Sequence, residues 1–407
     1  MNILHTSDWH IGCSLYGRKR YEEHEAFLNW LLATLSKEEV EILLVSGDIF
    51  DSALPSNRAL ALYYQFLHRI SATCCEYVII IGGNHDSPSL LAAPRDLLKH
   101  LNIHVVANIG KSHNDEIISI MDESGNLRLL VCAVPYLRDR EIRFSQAAES
   151  IEEKGKNLID GISSHYQELY QHAEGLRAGT EIPLVVMGHL FMAGASSDDS
   201  SGERELYVGS LAHVPAEMFP PEIDYFALGH LHRAQTVGTI DTFRYSGSPL
   251  PMSFAGADDS HSVCLLNFSG RALSQELIEV PSFRSLISLK GEVDEILSQI
   301  ASLISNHTEA WLEIVYTGEQ IIGNLQQQMR EATAKTGLEV IRVINNRVVQ
   351  QSLHQSNVQE TLDELVPEEV FKRCLERHKI PLEQRPLLTN LFSEALQHIY
   401  DDDQMAE

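Results

Sequence analysis

Basic residues are the first scarcity. Lys and Arg number 31 against 57 Asp and Glu, for a formal net charge of −26. That balance excludes a simple nucleic-acid coat, because such binders carry a basic surface. A nucleic-acid enzyme stays open, since charges more than about 8–10 Å apart are largely screened at physiological salt. Long apolar runs are missing too. None approaches the ~20 residues needed to cross a bilayer, and Asp8 falls where the apolar core of a secretory leader would lie. The 6 cysteines, Cys13, Cys74, Cys75, Cys132, Cys264 and Cys374, form no CxxC pair. Reduced thiols in the cytoplasm are therefore expected rather than a disulfide framework. No GxxxxGKS or GxxxxGKT phosphate loop occurs, so nothing marks the chain itself as an ATPase.

What is present is an α/β pattern in a chain of 407 residues, 44% of them hydrophobic. Strands are expected at Asn2–His5, Glu41–Val45, Tyr77–Ile81 and Ile103–Val106, with helices at Tyr21–Leu35, Asn57–Ile70 and Asp96–His100. Further strands follow at Asn126–Pro135, Ile182–Met187, Tyr225–Leu228, Thr242–Ser246 and Val263–Phe268. A polar insertion separates the first two of these, and Leu158, Ile162, Tyr166 and Leu169 recur in it at helical spacing. Ser196–Gly202 reads as a loop. The late hairpin around Gly238 predicts a mixed sheet, or two packed sheets, rather than a doubly wound one. After Pro281 a β-α-β-α-β order predicts a separate small domain. The tail from Leu362 reads as helical, with Leu387, Leu388, Leu391, Phe392, Leu396 and Ile399 on one stripe. That stripe either packs on the chain's own small domain or docks another protein.

Five strand ends carry polar clusters: Asp8 and His10 in HTSDWH, Asp48 in VSGD, Asn84 and His85 in GGNHD, His189 in VVMGH, and His230 and His232 in ALGHLH. Each alone has a bland explanation, as a turn, a cap or a surface pair. Together they converge, because strand ends on one edge of a sheet meet in space. A carboxylate such as Asp48 can bridge two ions about 3.5–4 Å apart. Asn84 offers a neutral oxygen, and the imidazoles offer nitrogen. The mixed N/O set favours Mn, Fe or Zn over Mg or Ca. A binuclear centre that hydrolyses phosphate esters is the leading reading.

In order, the motifs D-x-H, GD-x-x-D, GNHD, GH and GH-x-H resemble the calcineurin-like metallophosphoesterase superfamily. The runs MNILHTSDWHIGCSLYGRKR, LVSGDIFDSALPS and GNHDSPSLL resemble its DNA-repair nuclease branch. The resemblance implies two mixed β-sheets sandwiched between helices over residues 1–280, a β-α-β-α-β cap over 281–345, and a helical partner-docking region over 360–400. It implies two divalent ions, Mn²⁺ foremost. One is held by Asp8, His10, Asp48 and His232, the other by Asp48, Asn84, His189 and His230, with Asp48 bridging. His85 is then the catalytic histidine off the metals. DNA is the implied substrate, and the implied partner is an SMC-like ATPase in a complex built on a homodimer. Asp51 stands where some repair-nuclease relatives carry a second histidine, which separates the metal site from any transfer of their end specificity.

The ligands by themselves fit a protein phosphatase, a cyclic-nucleotide phosphodiesterase and a nuclease equally well. Arg18, Lys19 and Arg20 form a basic cluster that suits either backbone phosphates or a solvated loop. A scaffold that has lost its metals is the non-enzyme alternative, and no expected ligand is missing.

Overall fold

The computed structural model describes residues 1–122, 124–142, 151–195, 214–318, 322, 324–345 and Leu375. The chain opens with β1 (Asn2–Thr6), a small hairpin of β2 (Ser14–Leu15) and β3 (Arg18–Lys19), α1 (Tyr21–Lys37), β4 (Ile42–Ser46) and α2 (Asn57–Ile70). Next come β5 (Tyr77–Ile81), α3 (Pro88–Ala92), α4 (Arg95–Lys99), β6 (Ile103–Val106), β7 (Ile117–Met121) and β8 (Leu127–Ala133). Then follow α5 (Asp139–Ile142), α6 (Ile151–Arg177), β9 (Leu184–His189), β10 (Tyr225–Gly229), β11 (Gln235–Val237) and β12 (Ile240–Tyr245). After them lie β13 (Ser262–Ser269), β14 (Ala272–Glu279), β15 (Ser285–Gly291), α7 (Val293–Ser305), β16 (Ala310–Tyr316), α8 (Leu325–Ala332) and β17 (Leu338–Asn345).

Two six-stranded mixed sheets form the body. The first has the order β14-β13-β1-β4-β5-β6 and the second β11-β12-β10-β9-β8-β7. In the first, β1, β4, β5 and β6 run parallel while β13 and β14 pair antiparallel at the other side. The second repeats the plan: β8, β9, β10 and β12 are parallel, and β7 and β11 are antiparallel edges.

Period-two alternation explains why the sheets stack. Ile42 and Leu44 of β4 face Val185, Met187 and Ala227 of the second sheet in a fully buried seam. Leu43 and Val45 point the other way, onto Phe27, Leu31, Phe66 and Leu67 of α1 and α2. Likewise Val186, Phe226 and Leu228 pack on Leu158, Ile162, Tyr166 and Leu169 of α6. The layers are therefore helix, sheet, sheet, helix. Strands buried on both faces need continuous apolar runs, and ILLV and YVIII supply them. Helix α2 is set by Ser56, whose hydroxyl accepts the Ala59 N–H at 3.2 Å, and by its stripe of Ala59, Leu62, Tyr63, Phe66, Leu67 and Ile70. Truncating a seam residue such as Leu44 to Ala costs about 2–5 kcal/mol of stability.

Most of these elements fall where the sequence pattern predicts them; β7, β14, the hairpin β2–β3 and the short helices α3 and α5 do not. Strand β14 is an edge whose residues are exposed or half-buried throughout. Its ALSQELIE run gives no buried period to read. The expected loop at 196–202 and, apart from Leu375, the docking region at 360–400 lie outside the described residues.

The chain divides into two compact units. One comprises Met1–Ser288, His307–Glu313 and Lys335–Ile341; the other comprises Leu289–Asn306, Ile314–Ala334 and residues from Arg342 on. The three-stranded sheet has the order β15-β16-β17. Within the second unit, Ile296 and Ile300 of α7 and Leu325 and Met329 of α8 are buried.

Candidate metal centre

The parallel strands β1, β4 and β5 of one sheet and β9 and β10 of the other all release their C-terminal ends at one place. Strand β9 ends on His189 itself, and β10 ends one residue before His230. Asp8, His10, Asp48, His189, His230 and His232 are all buried there, and Asn84 and His85 are half-buried.

The backbone that presents them is contorted. Asp8 (φ +53°), His10 (+45°), Asp48 (+50°) and His230 (+103°) all lie in the left-handed region. Such residues cost about 1–3 kcal/mol each and persist only where the surroundings over-determine them. Here they do: Asp8 N donates to Gly47 O at 3.0 Å, His10 N to Asp48 O at 3.0 Å, and His230 N to the Asp8 carboxylate at 2.9 Å. Asp8 and His10 thus sit past the strand end, not along an extended segment, and a cross-loop ladder rather than strand alternation brings them together. Gly47, the residue before Asp48, is required by space. A Cβ there would lie 2.4 Å from His189 Nδ1, so the glycine makes room for an imidazole rather than for an ion. At Gly83 a Cβ would meet Asp48 Oδ1 at 2.1 Å.

Two sets of donors face each other across Asp48. His10 Nε2 and His232 Nε2, from opposite sheets, are 3.1 Å apart, and Asp8, His10 and His232 bring one ligand atom each within 4.8 Å of one another. On the other side His189 Nε2 is 2.9 Å from Asn84 Oδ1, and Asp8, Asp48 and His189 form a second such group. Asp48 Oδ2 lies 3.6 Å from His10 Nε2 and 3.4 Å from His189 Nε2. Its Oδ1 accepts the His85 N–H at 2.9 Å. His189 Nδ1 donates to Ser46 O at 2.9 Å, which leaves Nε2 for the centre. A third group, His10, Asp51 and His85, flanks the first, and His85 Nδ1 donates to Asp51 O at 2.7 Å.

Charge shows that the centre calls for cations. Among the described residues no Lys or Arg pairs with Asp8 or Asp48. Burial, against the pull of His189, pushes the Asp8 carboxyl up to about 8. Asp48 is buried as deeply, yet His189 and His10 beside it hold it far below the usual carboxylate range. Burial lowers His189, but Asp48 and Asp8 outweigh it and raise the imidazole to about 9. His10 and His230 fall well below the ordinary imidazole value, chiefly through burial. The protein alone therefore retains protons on Asp8 and His189 where divalent ions would displace them. Two buried carboxylates, an amide oxygen and four buried imidazoles are a donor set that fits two such ions.

Two supports were not singled out in the sequence. The Asp86 carboxylate accepts backbone N–H bonds from Ile49 (3.1 Å), Phe50 (3.0 Å) and Gly83 (2.9 Å), so it ties the Asp48 loop to the Asn84 loop. Its place as the last residue of GNHD was the available signal. Ser7 Oγ bonds Asp8 Oδ2 and sits 2.8 Å from Ser246 Oγ. The basic cluster, by contrast, dissolves. Arg20 is buried, with two bonds to Glu23 and one to Pro251 O, and Arg18 pairs with Glu339, which leaves Lys19. Arg20 follows Lys19 in sequence but points inward, and sequence spacing does not show burial.

Comparison with known proteins agrees with this geometry. Residues 1–234 match the calcineurin-like phosphoesterase family. The chain is 38% identical over 399 residues to the SbcD component of the SbcCD nuclease of Escherichia coli K12, covering 97% of this chain and 98% of that one. The chain belongs to the SbcD family of calcineurin-like phosphoesterases. Two other SbcD proteins are 34% identical over 314 residues (Rhodobacter capsulatus; 74% of this chain, 76% of that) and 31% over 350 (Bacillus subtilis; 84% and 86%). Residues 282–379 of this SbcD-family chain match a type 5 capsule protein repressor C-terminal domain. It is a metal-dependent phosphoesterase with a dimetal site, and among the described residues no helix is long and apolar enough to cross a membrane.

Proposed function

We propose that this chain is the DNA-cutting component of an SbcCD-type complex. It hydrolyses DNA phosphodiesters with two Mn²⁺ ions, as a double-strand exonuclease, a single-strand endonuclease and a hairpin-cleaving enzyme. An SbcC-like, SMC-family ATPase supplies the ATP dependence, and the two work as a heterotetramer built on a homodimer of this chain. DNA repair, replication and recombination are the processes served, in the cytoplasm and at the nucleoid. The observation that carries the reading is the Asp48 carboxylate standing between His10 and His189, 3.6 and 3.4 Å from their Nε2 atoms. The naming of the relatives as nuclease components moves the substrate from phosphate esters in general to DNA.

In this reading Asp8, His10, Asp48 and His232 hold one ion, and Asp48, Asn84, His189 and His230 hold the other. Bound there, such a pair supplies Lewis-acid stabilisation of the phosphoryl oxygens and an acidified water. The chain does the rest. Asp48, pinned through Oδ1 by the His85 N–H, keeps the two ligand sets in register. His85 is oriented by its Nδ1 bond to Asp51 O, so that Nε2 hands a proton to the departing 3′ oxygen. The products are a 5′-phosphate and a 3′-hydroxyl. Residues 1–280 form the nuclease domain, 281–345 cap the site toward DNA, and 360–400 dock the ATPase.

The test is cleavage of end-labelled duplex and hairpin DNA in Mn²⁺, with and without the ATPase and ATP, with Asp48→Ala as control. Cutting that disappears in the variant and rises with partner and ATP is the expected result. Robust Asp48-dependent hydrolysis of a monoester, with no DNA cut by the intact complex, moves the chain to the phosphatases.

A further inference from the structure

Strand β8 is parallel to its neighbour β9, so its C-terminal end reaches the same sheet edge as His189. It contributes no metal-ligand candidate. What it offers instead is Tyr136 and Arg138. Tyr136 N donates to Gly82 O at 2.8 Å, and the Tyr136 ring meets the His189 ring edge-on at 6.5 Å. The Arg138 guanidinium carbon lies 5.7 Å from the centroid of the Tyr136 ring, and Nη2 donates to Asp86 O at 3.2 Å. The side chain is thus anchored both to the aromatic beside a ligand histidine and to the residue after His85.

Its charge is unanswered. In a chain of net charge −26, Arg18, Arg20, Arg58, Arg128 and Arg177 are all paired with carboxylates. Arg138 has no carboxylate partner for its guanidinium among the described residues. The Glu141 carboxylate nearby accepts from the Arg138 backbone N–H, and Nη1 is buried with no acceptor. A fixed, half-buried guanidinium with no carboxylate to neutralise it, at the rim of a phosphoesterase centre, matches a phosphate oxygen in charge.

We propose that Arg138 is a substrate-positioning residue that binds a backbone phosphate flanking the scissile one. The proposal rests on the reading of this chain as a nuclease, because only a polynucleotide has a flanking phosphate to offer. Asp51 adds to the need for a cation, because its carboxylate lies 3.7 Å from His10 Nδ1 and puts a further negative charge at the same centre. Arg138, held at Asp86 O, supplies a positive one.

The experiment compares Arg138→Ala and Arg138→Lys with the unaltered full-length chain, Mn²⁺-loaded and with its ATPase present. Two substrates are used: duplex DNA, and bis(p-nitrophenyl) phosphate, a diester with no flanking phosphate. Arg138→Ala is expected to lower kcat/KM on DNA at least roughly tenfold more than on the small diester, mostly through KM. The salt dependence should become shallower by about one phosphate contact. Arg138→Lys restores part of the loss, having the charge without the fork. Metal content and melting temperature, measured on each variant, show whether the centre is intact. Equal losses on both substrates, or no loss on either, overturn the proposal. A wild-type chain that hydrolyses the small diester but never DNA overturns the nuclease reading instead.

Discussion

The two sheets bring different chemistry to one centre. The first supplies everything that carries charge or hard oxygen: Asp8, Asp48 and Asn84, together with His10 and His85. The second supplies imidazole only, through His189, His230 and His232. In the proposed centre the carboxylates would hold the ions by charge, whereas the imidazoles would add directional nitrogen donors. Neither sheet has a complete ligand set, so the centre exists only when the seam between them is packed. That seam is the fully buried layer of Ile42, Leu44, Val185, Met187 and Ala227. Catalysis is in this way tied to the stability of the fold.

Removing one member from each side sharpens the contrast. Asp48→Ala should bring turnover down to background and lose at least one of two ions, read by an activity assay and elemental analysis on the same sample. Excess Mn²⁺ should not rescue it, because the bridge itself is gone. His189→Ala removes a neutral donor from the second sheet. Its activity should return in large part as Mn²⁺ is raised, and a variant as dead as Asp48→Ala at every Mn²⁺ concentration would erase the distinction.

His85→Ala tests whether the first sheet carries a proton as well as charge. Both ions should remain bound while kcat falls about 10²–10⁴-fold, the range of a lost general acid. An unaltered kcat would remove His85 from the mechanism. A smaller effect is expected at Asp86→Ala, where three loop N–H bonds are lost and no ligand is. The loss should be roughly 10–100-fold in metal affinity or activity, with the ions dissociating more readily in a chelator titration.

The mildest probe concerns the seam itself. His5 of β1 bonds Tyr225 Oη of β10 across it at 3.0 Å, and burial, aided by Arg244, pulls the imidazole down to about 3. His24, buried beside Arg20 under the first sheet, is pulled down to about 4, again chiefly by burial. Both are neutral in the folded chain and titrate near 6.5 when it unfolds. The unfolded state therefore binds more protons in between. Their contribution is full above pH ~6.5 and is lost as pH falls toward 4 and then 3, on the order of a few kcal/mol each. Denaturant midpoints of the metal-free protein should decline over that window; a flat profile from pH 7 to 4.5 would contradict the assignment.

Much of this was legible in the sequence because chemistry and punctuation coincide. Asp48, His189 and His230 each follow a glycine that follows an apolar strand, so their residue type and their position both speak. The helices α1 and α2 announce themselves through apolar period, and the strands β4, β5, β9 and β10 through unbroken apolar runs. Other features gave no such signal. Arg20 looks like a member of a basic cluster and is a buried partner of Glu23. Asp86 looks like a turn residue and is the clasp between two loops. Arg138 is an ordinary arginine until it is found beside Tyr136 and Asp86 O without a carboxylate partner.

The division has a physical cause. The candidate donors, the positions of the parallel strands and the layered α/β class depend on local apolar patterning and residue chemistry, which a sequence carries within a few residues of each site. Which face Asp8 and His10 present, how Gly47 makes room for the His189 ring, and which cations remain unpaired depend on contacts between residues far apart in the chain. Asp8 and His230 are 222 positions apart, yet the His230 N–H bonds the Asp8 carboxylate at 2.9 Å. Only packing the two sheets together sets such distances, and with them the centre.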